Sequence, residues 1–152
     1  MDKPTLRRVT RAAAVLLVAA VALPAGAGDQ PAAGGKGPAK LAKELIGTWA
    51  LVGTPEKVGD PPASGGRLKF ITGRQWAITQ ADPETGKVIY HHGGTYTLDG
   101  DTYTETVEYA NENTAELIKK KLKFKVKVEG DKYTQIGVGA DNPFKEVWKR
   151  AK

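Results

Sequence analysis

Residues 93–110 read GGTYTLDGDTYTETVEYA. Threonine alternates with larger side chains on both sides of Asp99-Gly100. A period of two is that of a β-strand, whose side chains point alternately to the two faces. Asp-Gly between two such runs is a hairpin signal. A two-residue loop there sets Tyr96 opposite Tyr103, Thr95 opposite Thr104 and Thr97 opposite Thr102. Aromatic then meets aromatic on one face and threonine meets threonine on the other. Such cross-strand pairs stabilise by about 0.2–1 kcal/mol each.

The same period continues in both directions. Residues 118–128 read IKKKLKFKVKV, with Leu122, Phe124, Val126 and Val128 on one face and Lys121, Lys123, Lys125 and Lys127 on the other. The lysines read as a solvated outer face that resists pairing with foreign strands. A basic stripe for an anionic surface is the other reading, although no aromatics are interleaved as a single-strand nucleic-acid binder needs. After Glu129-Gly130-Asp131 a further strand is expected, with a three-residue loop placing Phe124 opposite Ile136. Strands are expected near 47–53, 67–72, 75–81, 87–92, 94–98, 102–109, 121–129, 132–138 and 144–150. Many short strands between turn signals indicate an all-β sandwich or barrel. Residues 111–119, NENTAELIK, interrupt the series with one short helical insertion, and a helical turn is expected at 41–46.

The N-terminal part is of a different kind. Residues 1–11 hold a basic cluster, residues 12–23 an apolar run, and Ala25-Gly26-Ala27 follows Pro24. This is the layout of a cleaved signal peptide, 1–27. The run is shorter than the ~20 apolar residues of a spanning helix. Residues 28–40, GDQPAAGGKGPAK, read as a flexible linker, and 41–152 as one domain. A periplasmic or secreted location follows. Half of the formal charge of +6 belongs to the leader, and 28–152 carry 19 basic against 16 acidic residues. That balance is weak ground for a nucleic-acid partner. With no cysteine there is neither disulfide nor thiolate chemistry.

Three stretches carry a resemblance. LIGTWALVG at 45–53 resembles the G-x-W opening of the lipocalin and fatty-acid-binding superfamily, and EVWKR at 146–150 resembles its last strand. KFITGRQWAITQADPETGKVI, GGTYTLDGDTYTETVEYA and KLKFKVKVEGDKY are similar to an uncharacterised family of exported bacterial lipocalin-like domains. The resemblance covers about 41–152. It implies a single antiparallel up-and-down β-barrel of about 8–9 strands. It also implies that Trp49 packs against Arg150 as a structural closure of the barrel, not as a ligand site.

Within such a barrel, strand parity proposes the inward set. The candidate ligand-binding residues are Trp76, Ile78, Tyr90, Tyr96, Tyr103, Glu105, Tyr109, Phe124, Glu146 and Trp148, with Gln80, Val88, His92 and Val126 on the same parity. Aromatic bodies with polar tips suit a small apolar or amphipathic guest. A filled barrel, acting as a structural or interaction domain of the cell envelope, is the alternative. Glu105 and Glu146 fall on the apolar parity, where a carboxylate needs a partner; a hydrolase or isomerase built on them is conceivable but lacks support. The long stretch 53–66 is expected to lie over the open end as a lid, with Leu117 and Ile118 of the 111–119 insertion facing inward as a second. His91 and His92 point to opposite faces of a strand and cannot share one metal. No G-x-S-x-G or phosphate loop occurs. The expectation is a monomer without catalysis, metal, cofactor, nucleic-acid partner or membrane span.

Overall fold

The computed structural model describes residues 36–151. The expected signal peptide, 1–27, and residues 28–35 of the expected linker lie outside the described residues. Helix α1 (Lys36–Leu45) precedes nine strands: β1 (Gly47–Thr54), β2 (Lys57–Val58), β3 (Leu68–Ile71), β4 (Gln75–Ala81), β5 (Val88–Asp99), β6 (Thr102–Ala110), β7 (Lys121–Glu129), β8 (Lys132–Gly137) and β9 (Lys145–Arg150). A 3-10 segment, Glu112–Leu117, links β6 to β7. Each strand is antiparallel to its neighbours, in the order β2-β1-β3-β4-β5-β6-β7-β8-β9, and β9 returns to pair with β1. The sheet is therefore closed: eight strands form an up-and-down barrel and β2 is a short extra strand on β1. Among the described residues no helix is long and apolar enough to cross a membrane.

Both hairpin registers differ from expectation, for one reason. Asp99 pairs with Thr102 and Leu98 with Tyr103, so Tyr96 faces Glu105 and Thr97 faces Thr104. The loop is Gly100-Asp101, not Asp99-Gly100. Likewise Glu129 pairs with Lys132 and Phe124 with Gly137, leaving Gly130-Asp131 as the loop. Gly100 and Gly130 both have φ +61, and Asp101 and Asp131 do not take a positive φ. Glycine thus fills the first central position, the requirement of a type II′ turn. Tyr96 and Tyr103 still touch diagonally, with ring centroids 4.9 Å apart.

Three bulges shift register, at Val52 in β1, Ile89 in β5 and Glu108 in β6, and the last two overturn the expected parity. Glu108 is the extra residue of β6 between the pairs Gly94–Val107 and Gly93–Tyr109. Val107 therefore points in, while Tyr109 points out and is exposed, lying across Gly93. Tyr109 does not line the lumen as parity had proposed. Ile89 is the extra residue opposite Gln80–Ala81, and Val88 is exposed rather than inward.

One end of the barrel is closed by α1. Leu45 is fully buried and Leu41 packs on the core. The helix is five residues longer at its start than the expected turn; Pro38 lies in its first turn, where proline is tolerated. The last carbonyls of α1 need donor partners, and the barrel supplies them. The Trp49 indole N–H donates to the Leu45 carbonyl at 2.8 Å. The Arg150 guanidinium donates to the carbonyls of Glu44 at 2.9 Å and Ile46 at 3.1 Å. It also lies over the Trp49 ring, 4.1 Å from the centroid, and the two residues are register partners. Gly47, with φ +146, passes so close to Arg150 that a Cβ would overlap the guanidinium, which explains the glycine of G-x-W.

The 53–66 stretch is a strap on the outer wall, not a lid. Ala50, Val52 and Val147 are small, outward and buried, so something must cover them. The Gly59 N–H donates to the Val52 carbonyl at 2.7 Å, and Pro62–Gly66 face Ala50, Leu68 and Thr79 across an outer-wall cavity of about 350 Å³. Asp60 and Glu56 bind the outward Lys149 and Lys145 at 2.7 and 3.7 Å. In the 3-10 segment Leu117 packs on the core as expected, while Ile118 is exposed. Replacing Arg150 by alanine is expected to lower unfolding free energy by about 1–3 kcal/mol in urea titrations, through the lost cation–π contact and uncapped carbonyls. Arg150→Lys should recover only part of the loss, because a lysine lacks the planar fork.

Candidate functional site: the barrel lumen

The lumen is built around a lysine. In β3 the inward side chains are Lys69 and Ile71, and Phe70 points out, partly exposed. Lys69 is 0% exposed. Its ammonium lies 2.5 Å from Glu105 Oε1 and donates to Gln135 Oε1 at 2.6 Å. Gln135 in turn donates from Nε2 to Glu146 at 2.5 Å and accepts from the Tyr133 hydroxyl. The chain Glu105–Lys69–Gln135–Glu146 therefore crosses the barrel from β6 through β3 and β8 to β9.

Aromatic rings surround the ammonium. The centroids of Tyr103, Trp76, Tyr133, Trp148 and Phe124 lie 5.1, 5.5, 5.5, 5.7 and 5.8 Å away. This is the geometry of an aromatic cage for a cation, and here the cation is the protein's own. A buried charge is tolerated when it is paired, and Glu105 and Gln135 answer the ammonium. Glu105 Oε1 makes the ion pair without a well-aligned hydrogen bond, and the Tyr103 hydroxyl and the Trp148 indole N–H beside it have no hydrogen-bond partner among the described residues. Burial pushes the Glu105 carboxyl up from its ordinary value, against the pull of the adjacent Lys69. Burial also pushes the hydroxyls of Tyr103 and Tyr133 well up, with the charge of Glu105 adding to it.

The end of the barrel opposite α1 is less tightly filled. There a gap of about 10 Å³ is bordered by Ile78, Tyr90, His92, Glu105, Gln135 and Glu146, with Leu117 and Phe144 at the rim. That is room for roughly one water molecule. His92 is 2% exposed and its Nδ1 has no protein partner. Burial, reinforced by the charges of Lys69 and Arg67, pulls it down to about 4, so it is neutral at pH 7. Arg67 stacks on Tyr90 at 3.8 Å and donates to Gln80 at 3.1 Å.

Of the candidate residues, Trp76, Ile78, Tyr103, Glu105, Phe124 and Trp148 are buried in the lumen. Tyr90 and Glu146 stand at its open end, part-buried. Tyr96 lies towards the α1 end and donates from its hydroxyl to the Thr72 carbonyl at 2.7 Å. Tyr109 is outside. Lys69 and Gln135 were missed, although they organise the rest. In LKFI the apolar weight of Leu68 and Phe70 argues for the wrong face. Register is the signal that finds Lys69: once the 72–74 turn joins β3 to β4, Ile71 faces Trp76 and Lys69 faces Ile78.

No family model matches this chain. No curated protein matches it. Among solved structures, the crystal structure of an uncharacterized protein from Bacteroides eggerthii DSM 20697 is similar, with 14% identity and a TM-score of 0.49, over 70% of this chain and 98% of that one.

Two predictions follow from the charges. Lys69→Met leaves Glu105 buried without its partner and should cost about 3–5 kcal/mol, whereas Lys69→Met combined with Glu105→Leu should recover most of the loss. A double-mutant cycle in urea reads this directly. For His92 the folded value lies below the unfolded one, so the unfolded state gains the proton first. Its contribution to stability is present above pH 6.5 and is lost as pH falls towards 4, a change of about 3 kcal/mol. Glu105, shifted upward, acts in the opposite sense. The wild-type minus His92→Gln difference in unfolding free energy, measured from pH 7 to 4, should therefore shrink as pH falls.

Proposed function

We propose that this chain is a non-catalytic, exported, lipocalin-like barrel whose lumen holds its own side chains, and that it works as a structural or interaction domain through its outer wall. The observation that carries this reading is the occupancy of the barrel axis. Lys69 fills the aromatic cage, its charge is paired with Glu105, and the space left is about 10 Å³. Ligand pockets in proteins span roughly 300–1,000 Å³. An amphipathic guest in the lumen would have to displace Lys69 and leave Glu105 unpaired, at a cost of several kcal/mol.

The same arrangement speaks against acid–base chemistry by the two inward carboxylates. Glu105 is neutralised by Lys69, Glu146 is held by Gln135, and the gap between them has no room for a substrate. The export reading is supported by the charged, apolar and small-residue order of residues 1–27.

Tryptophan fluorescence tests the filled lumen, because Trp76 and Trp148 stand in the cage around Lys69. Titration with a fatty acid or a lysolipid should leave their emission unchanged. A saturable shift would overturn the filled-barrel reading and restore lumen binding. Lys69→Ala combined with Glu105→Ala should open the axis, and this variant should respond to n-alkylammonium ions where the wild type does not.

A further inference from the structure

The outer wall carries a regular grid of hydroxyls and ammonium groups, with two carboxylates at its margins, Asp99 and the Glu108 that accepts from Thr95 at 2.6 Å. The registers of β5, β6 and β7 align Thr95 with Thr106 and Lys121, Thr97 with Thr104 and Lys123, and Asp99 with Thr102 and Lys125. All of these point away from the lumen, on the parity opposite to Tyr103, Glu105, Leu122 and Phe124. Neighbouring strands stand about 4.8 Å apart and like-facing residues about 6.7 Å apart along a strand. The result is a polar lattice three strands wide.

Its charges are unevenly answered. Lys125 binds Asp101 at 2.6 Å and Lys127 binds Glu129 at 2.7 Å, at the turn end of the wall. Among the described residues no carboxylate lies within ion-pair distance of Lys121 or Lys123, nor of Lys119 and Lys120 just before them. Six of the nine residues at 119–127 are lysine. Clustered like charges without counter-charges repel one another, and an anionic partner relieves that repulsion.

The hydroxyls decide what kind of anion fits. Thr97, Thr104 and Thr106 make no side-chain hydrogen bond among the described residues. Threonine is stiff at χ1, so these groups face outward at little entropic cost, each able to donate and to accept. The threonine and lysine rows themselves hold no aromatic ring. Among the described residues the single exposed ring beside them is Tyr109, against His91 at the β5–β6 edge, and Ile136 on β8 flanks Lys125; one ring is not a stacking platform. A membrane surface is gripped by apolar insertion, and single-stranded nucleic acid by stacking on aromatic rings. A chain of sugars bearing carboxylates matches both halves, with hydroxyls meeting threonine and acid groups meeting lysine.

We infer that the β5–β6–β7 wall is a binding surface for an acidic polysaccharide, with Lys121 and Lys123 holding its carboxylates and Thr97 and Thr104 its hydroxyls. This rests on the filled-barrel reading, in which the wall rather than the lumen is the working surface. All four residues lie outside the core, so their replacement leaves folding intact.

Polygalacturonate is the probe, titrated against the folded chain by calorimetry at low and at physiological salt. Binding should weaken as salt rises. Lys121→Gln with Lys123→Gln should reduce affinity at least tenfold. Thr97→Val with Thr104→Val, which keeps shape and charge, should reduce it severalfold. Absence of binding at low salt, or unchanged affinity in the lysine variant, overturns the inference. Unchanged affinity in the threonine variant, or equal affinity for single-stranded DNA or for phosphatidylglycerol vesicles, also overturns it, by reducing the wall to general cation attraction. Lumen fluorescence separates the two readings. Polygalacturonate binding with flat Trp76 and Trp148 emission supports both. Binding that is lost in Lys69→Ala/Glu105→Ala but kept in the wall variants overturns both.

Discussion

The ammonium of Lys69, fully buried and bound to Glu105, is the contact on which the interior depends. An ion removed from water carries a penalty of several kcal/mol even after relaxation. It is tolerated here because three elements answer it together: the carboxylate on β6, the amide oxygen of Gln135 on β8 and a ring of aromatic faces. The pair contributes more to arrangement than to net stability, since well-packed apolar residues of equal volume are often as stabilising. What it secures is register. A one-residue slip of β3 would send Lys69 to the outside and bring Phe70 in, reversing the face of every side chain on the strand. The pair thereby specifies which way β3 faces, in a strand whose apolar residues give a conflicting signal.

The two ends and the outside follow from the same closed sheet. At one end the Trp49 indole and the Arg150 guanidinium turn the unpaired carbonyls of α1 into acceptors, so the helix is held as a stopper. At the other end Phe144 and Leu117 stand over a gap of one water's size. The Pro-rich strap covers the small apolar residues of the outer wall on β1 and β9 and is pinned by two lysine–carboxylate pairs. Among the described residues no such strap crosses the β5–β7 wall.

Much of the architecture was legible in residue order. Alternation located β4 and β6 to β9 within a residue or two, because one face of each is buried and the other is wet; the strands expected at 87–92 and 94–98 are one continuous strand, β5. The closure by Trp49 and Arg150 was implied by the resemblance that LIGTWALVG and EVWKR carry, and the two residues are register partners. The misreadings have physical causes. At the first hairpin Asp99-Gly100 was expected as the loop, and at the second a three-residue loop, Glu129-Gly130-Asp131; in both a Gly-Asp pair forms a two-residue loop with glycine first. Tyr109 was assigned inward because parity propagates without error only along a regular strand, and the bulge at Glu108 leaves no trace in composition. The strap was taken for a lid because nothing local says which side of a wall a loop will fold against; the clue was Val52 and Val147, apolar on the outward parity. Lys69 was hidden because its partners are 36 and 66 positions away, and a buried lysine is recognised only through the carboxylate that answers it.

The central claim is that nothing but the protein's own side chains occupies the barrel. Native mass spectrometry of protein recovered from its source tests this without choosing a probe. The account predicts the mass of the polypeptide alone, unchanged on acid denaturation. A stoichiometric extra mass that is released when the barrel unfolds would contradict it.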